Sequence, residues 1–107
     1  MTTWKKLKIY VSEEDRWQHH SLYKAIIDIA HKKGMAGATV FQAIEGYAGK
    51  KPVQTVSILA LSENLPLAVE IIDEEEKVRE FYAEIQGMLQ GHLTVLEPIE
   101  LLQWGES

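Results

Sequence analysis

With 107 residues and a net charge of −5, the chain has the length of one domain, enough to bury roughly 60 to 70% of the surface its unfolded form exposes. The absence of cysteine excludes a disulfide framework, a cysteine-type zinc site and a thiol nucleophile. An acidic balance with only Arg16 and Arg79 as arginines argues against a nucleic-acid surface; with no run of about 18 apolar residues and no apolar signal core, the expectation is a cytoplasmic protein without membrane insertion.

Trp4 to Val11 alternates, with Leu7, Ile9 and Val11 pointing one way and Lys6, Lys8 and Tyr10 the other, the period of a half-buried strand. Ser12 to His20, SEEDRWQHH, has no apolar period and reads as a loop. Trp17 inside it has two readings of equal weight: covering a ligand or a neighbouring subunit, or packing on the first helix beside Tyr23. That helix starts at Ser21 as N-cap, carries Leu22, Ile26, Ile29 and Ala30 on one face and ends at His31-Lys32-Lys33-Gly34. The cations suit the helix dipole, and Gly34 suits a left-handed position past the end.

The chain is organised around Gly37 to Pro52, GATVFQAIEGYAGKKP. Val40, Phe41 and Ile44 favour a strand, and Gly46, Gly49 and Pro52 then turn it into a loop. Successive glycines with Lys50 and Lys51 can form an anion-binding concavity; the same residues also suit a mobile hairpin tip with solvated lysines. Val53 to Leu61 is a second extended run, broken by Ser62 to Pro66, and Leu67 to Ile72 resumes with Leu67, Val69 and Ile71 on one face. A full reversal at Ser62 to Pro66 within the sheet would leave the strand at Leu67 parallel to the one at Val40, so Val53 to Leu61 is read as the outer part of a bent return arm.

Asp73 with Glu76 reads as a capping box opening the second helix. Val78, Phe81, Tyr82, Ile85, Met88 and Leu89 give that helix the clearest period in the chain. Gly91 ends it. Leu93 to Leu96 and Ile99 to Trp104 form a last strand interrupted at Pro98, which implies a sheet edge.

The order β-α-β-β-α-β defines an α+β, ferredoxin-like split βαβ arrangement over residues 1–107, with two helices on one face of an antiparallel sheet and an extended hairpin. The first and last strands then lie side by side, which brings Trp4 close to Trp104. The far face of the sheet shows Lys6, Lys8, Tyr10, Ala68, Glu70 and Ile72, neither cleanly polar nor apolar, and predicts assembly, with Glu70 pairing Lys6 or Lys8 across strands.

Gly37-Ala38-Thr39-Val40, Gly46-Tyr47, Leu65-Pro66 and Val95-Leu96-Glu97-Pro98 resemble the G-x-T-V, G-F-G, L-P and V-L-P elements of the PII signalling proteins. More closely, SEEDRWQHHSLYKAI, GMAGATVFQAIEGYAG and LPLAVEIIDEEEKV resemble the PII-like group called domain-of-unknown-function family 190. The resemblance implies a homotrimer with a mobile T-loop and an inter-subunit effector site, often for adenine nucleotides. Gly37 and Thr39 would form one wall and Gly46, Tyr47, Ala48 and Gly49 the other, with Lys50 and Lys51 adding charge and the loop 46–52 meeting a protein partner. In place of PII's phosphate-binding B-loop the chain has Gln90-Gly91-His92-Leu93, the interval from Thr39 to Gly46 is one residue longer, and Ala48 replaces a glycine, so the resemblance does not extend to tight triphosphate binding.

No serine occupies a G-x-S-x-G elbow and no triad can be inferred, so the expectation is a protein without catalytic residues. His19 and His20 are adjacent and point oppositely in extended chain, a poor metal pair. The alternative is a trimeric divalent-metal-binding protein similar to the divalent-cation-tolerance proteins, in which His19, His20 or His92 would matter.

Overall fold

A computed structural model describes residues 3–50, 52–55 and 65–105. In chain order the elements are β1 (Trp4–Ser12), β2 (Arg16–Trp17), β3 (His20–Ser21), α1 (Leu22–Lys32), β4 (Gly37–Gln42), β5 (Glu45–Gly46), β6 (Gln54–Thr55), β7 (Pro66–Glu74), α2 (Glu75–Ile85), a 3-10 turn (Gln86–Leu89) and β8 (Thr94–Ile99). The main sheet has the order β4-β7-β1-β8 with every neighbouring pair antiparallel. This is the split βαβ arrangement that the sequence predicts, and β7 runs antiparallel to β4 as the parity argument requires.

Alternation along the strands makes the sheet two-faced. Leu7, Ile9 and Val11 of β1 and Leu67, Val69 and Ile71 of β7 are buried against Leu22, Ile26 and Ala30 of α1 and Val78, Phe81 and Ile85 of α2, so both helices cover one face. Ile9, Ile26, Val69, Ile71 and Val78 are fully enclosed, each contributing about 1.5 to 3 kcal/mol of transfer free energy.

The end of α1 follows from its sequence. Gly34 adopts φ +71°, and the N–H groups of Gly34 and Met35 donate to the carbonyls of His31 and Ala30 at 3.1 Å each, the paired bonds of a Schellman motif.

Three local expectations change. Ser12 to His20 is not a plain loop: Trp17 pairs with His20 and Arg16 with Ser21, and Gln18 and His19, both at positive φ, form the two-residue turn whose twist suits a tight hairpin. Asp73 is not a helix cap. The N-cap is Glu74 and makes no side-chain cap bond, while Asp73 is buried and its carboxylate accepts the Ala36 N–H at 2.8 Å and the Glu74 N–H at 2.6 Å. Asp73 thus ties the turn before β4 to the start of α2. Finally, β8 runs through Pro98, which pairs with Lys5, and residues 100–104 are not strand; the proline is tolerated because β8 is an edge.

Beyond Gln42 the chain leaves the sheet as a second hairpin, with Glu45 opposite Thr55 and Gly46 opposite Gln54. The return arm predicted for Val53 to Leu61 is strand at Gln54–Thr55; its continuation at 56–61 lies outside the described residues. No helix among the described residues is long and apolar enough to cross a membrane.

Candidate functional site

A cleft of about 160 Å³ opens where the second hairpin departs from the sheet. Its floor is the end of β1, Tyr10 to Ser12, and the start of β7, Pro66 to Ala68; its sides are Glu45 to Ala48 at the hairpin base and Gly91 and His92 beyond α2. Register explains the floor: Ser12 pairs with Pro66 and Gln42 with Leu67, so β1 and β4 end where β7 begins. The bonds from Ala43 N–H to the Pro66 carbonyl (2.8 Å) and from Glu13 N–H to the Leu65 carbonyl (2.8 Å) fasten the departing chains to that rim.

The wall opposite the hairpin is built by a glycine turn. Gly91, at φ +82°, reverses the chain after the 3-10 turn, a conformation that strains a side-chain-bearing residue. The His92 N–H donates to the Leu89 carbonyl at 2.9 Å, and the Tyr10 N–H donates to the Leu93 carbonyl at 2.9 Å, joining this turn to β1. The His92 ring Nδ1 lies 3.3 Å from the Tyr10 carbonyl oxygen and 3.7 Å from Asp15 Oδ2. Asp15 is itself fixed, since its Oδ2 accepts the Ser12 N–H at 2.7 Å.

Of the residues singled out in the sequence, the cleft brings together Gly46, Tyr47 and Ala48. Gly49, at φ +62°, and exposed Lys50 continue outward from it, and Lys51 lies outside the described residues. Gly37 and Thr39 are elsewhere in β4, paired with Ile72 and Glu70, on the sheet face that carries no helix. Trp17 packs, half-buried, against the hydrophobic core, as does Tyr23. His19 and His20 are exposed at the β2–β3 tip. Among the described residues no group of three or more His, Asp or Glu side chains is placed to hold a metal ion.

Tyr10, Ser12, Glu45, Gly91 and His92 enter the cleft without having been singled out for it. A signal was available for two of them: a glycine two residues after the last apolar residue of a helical period, followed by a histidine, marks a tight turn presenting an imidazole. That this turn faces the hairpin base depends on β8 lying beside β1, a tertiary fact.

The helix-free face carries Glu70 between two lysines, at 3.5 Å from Lys6 Nζ and 3.4 Å from Lys8 Nζ, with Glu97 3.9 Å from Lys6. The negative charge of Tyr10 when ionised, and then the hydrogen bond to Glu70, raise the pKa of Lys8 above its ordinary value. Exposed Phe41 lies on the same face by alternation, opposite Ala68. Trp4 and Trp104 meet at the other end with ring centroids 6.0 Å apart and planes tilted by 60°. On α2, the hydrogen bond from Arg79 holds Glu75 below the usual carboxylate range.

A four-stranded sheet of this order, a hairpin rising from its rim and a cleft at the hairpin's foot define a PII-like fold. The family model described as DUF190, "Uncharacterized ACR", matches residues 4–101, and the chain belongs to that family. It is 41% identical over 98 residues to a UPF0166 protein of Aquifex aeolicus, covering 92% of each chain. In structure it is similar to CPII from Thiomonas intermedia K12, a nitrogen regulatory PII-like protein bound to ADP, AMP and bicarbonate, with a TM-score of 0.69 and 15% identity over 92% of this chain and 88% of that one. It is also similar to the divalent ion tolerance protein CutA1 from Ehrlichia chaffeensis, with a TM-score of 0.61 and 13% identity over 96% of this chain and 87% of that one. At those identities the two structures establish the fold alone.

Proposed function

We propose that the protein is a non-enzymatic, cytoplasmic regulatory protein of the PII-like kind. Three copies assemble through the helix-free faces of their sheets, a small anionic effector, foremost an adenine nucleotide, binds at the hairpin base, and the loop 46–52 transmits its presence to a protein partner. The observation that carries this reading is the position of the cleft: a ligand in it touches Gly46, Tyr47 and Ala48 where the hairpin leaves the sheet, so occupancy acts directly on the segment that would move.

Two further features support the reading. A volume of about 160 Å³ is small beside the roughly 300 to 1,000 Å³ of complete ligand sites, and a neighbouring subunit would supply the missing wall. Gly37 and Thr39, on the face through which the copies would meet, join the site in that way, while Gly49 and Lys50 follow the hairpin base along the loop. The similarity to CPII, described as bound to ADP and AMP, makes adenine nucleotides the first ligands to test.

The test is light scattering of the purified protein followed by calorimetric titration with ADP, ATP, cyclic AMP and divalent metals. A mass near three times the 12.2 kDa chain and saturable nucleotide binding are expected. A one-chain mass at working concentration would refute the reading. A response to metal alone, abolished by His19→Ala or His92→Ala, would replace it with the metal-binding trimer similar to CutA1.

A further inference from the structure

Within the effector reading, the structure assigns to His92 the recognition of the effector's anionic group, and makes that recognition dependent on protonation. Of the side chains lining the cleft among the described residues, His92 alone can carry positive charge. Glu45 across the cleft is an acid, Tyr10, Tyr47 and Ser12 are neutral hydroxyls, and the other lining residues are apolar or glycine. Lys50 is not part of the lining. The inference rests on the effector reading, since it names the group in that site that meets the anion.

The hydrogen-bond arrangement determines what His92 can offer. A carbonyl oxygen only accepts, so the contact between Nδ1 and the Tyr10 carbonyl at 3.3 Å places a proton on Nδ1 in the neutral ring and leaves Nε2 as a bare acceptor. An acceptor does not bind an anion. Protonation turns Nε2 into a charged donor, the stronger kind of partner for a phosphate or carboxylate oxygen. Asp15, from the turn after β1, lies 3.7 Å from Nδ1, and Glu45 of the hairpin base lines the same cleft. Tyr10 of β1, Tyr47 of the hairpin and Tyr82 of α2, which shares a second cleft with His92, complete its titratable surroundings. Asp15 already accepts the Ser12 N–H, which fixes it beside the ring nitrogen that meets the Tyr10 carbonyl.

The sign follows. An effector that binds the imidazolium better than the imidazole draws a proton onto His92, so affinity falls as pH rises through the window in which imidazoles lose their charge. The loop would then report effector concentration and proton concentration together.

The experiment is calorimetric titration of the intact protein with ADP at about pH 6 and about pH 8, for the wild type and for His92→Asn. The asparagine amide keeps an N–H near the Nδ1 position, preserving the bond to the Tyr10 carbonyl, but carries no charge. The wild type should lose about tenfold or more in ADP affinity between the two pH values, beyond any change shown by the variant, whose own pH dependence reports the titration of the nucleotide. The variant should bind about tenfold more weakly than the wild type at the lower pH and equally at the higher. ADP binding with the same pH dependence in both proteins would overturn the assignment to His92 and leave the effector reading standing. Absence of ADP binding in the wild type at both pH values would overturn the assignment and remove ADP as the effector. Imidazole NMR of the wild type supplies a readout independent of affinity: the His92 Cε1–H resonance should move toward the protonated position on addition of ADP at intermediate pH, and an unmoved resonance at saturation would overturn the assignment.

Discussion

Removing the Asp73 carboxylate should cost more stability than its place in an acid-rich helix start suggests. The residue is 3% exposed. In Asp73→Ala the Ala36 N–H, 2.8 Å from Oδ2, loses a charged acceptor in a part-buried position, a loss of about 1.5 to 3 kcal/mol. The Glu74 N–H loses its partner at 2.6 Å, and the ion pair with Lys77 at 3.5 Å disappears; since Lys77 is half exposed, that pair adds no more than about 1 kcal/mol. The total is about 3 kcal/mol, or a fall of roughly 12 °C or more in melting temperature for a domain of this size. Urea denaturation at fixed protomer concentration is the assay, because assembly makes apparent stability concentration-dependent. Lys77→Ala is the control and should lose under about 1 kcal/mol. A loss for Asp73→Ala no larger than that of the control would refute the reasoning, since it would mean that water satisfies the Ala36 N–H as well as the carboxylate does.

Gly34→Ala should destabilise by about 1 to 2 kcal/mol, read in the same denaturation assay, because Gly34 sits at φ +71° with open space around a built Cβ, so the cost is backbone conformation alone. If the protein is the proposed trimer, Phe41→Glu, which puts a charge on the helix-free face opposite Ala68, should lower the light-scattering mass from three chains toward one while leaving the circular dichroism of the subunit unchanged; a retained trimer would place the interface elsewhere. Replacing Lys50 and Lys51 together by alanine should weaken ADP binding by about two- to fivefold per lysine, the scale of exposed ion pairs, and unchanged affinity would show that the loop lysines stay in solvent.

The architecture was legible because it rests on periodicity. Leu7, Ile9 and Val11 alternate, Leu22, Ile26 and Ala30 recur at helical spacing, and Leu67, Val69 and Ile71 share a face; these are the residues that the core contains. Gly34 was legible because a left-handed helix end selects glycine. What was hidden depends on pairing between distant segments. Asp73 and Glu76 match a capping box, yet the Ala36 N–H, 37 residues earlier, takes the carboxylate, and nothing local distinguishes the two outcomes. Gln18-His19 carries no glycine to announce a tight turn, although both residues adopt positive φ. Glycine punctuation marked the hairpin base at Gly46 to Ala48, whereas the opposite wall at Gly91 and His92 comes to face it only because β1 lies between β7 and β8.

The fold shared with CPII and CutA1 leaves function to the lining of the site, and here that lining is distinctive in one respect. A charged loop of several glycines and a lysine would hold phosphate through many backbone N–H groups at any pH. Gln90-Gly91-His92-Leu93 has room for one turn, and the wall it forms contributes one ionisable side chain whose Nδ1 is already committed to the Tyr10 carbonyl. In the proposed trimer, selectivity would come from the remaining ring nitrogen, from the Tyr10 and Tyr47 hydroxyls and from whatever the neighbouring subunit adds, all of them single contacts. Under the proposed function, such a lining would suit a weakly held, rapidly exchanging anion, as a sensor requires when its ligand concentration changes within the range it must report.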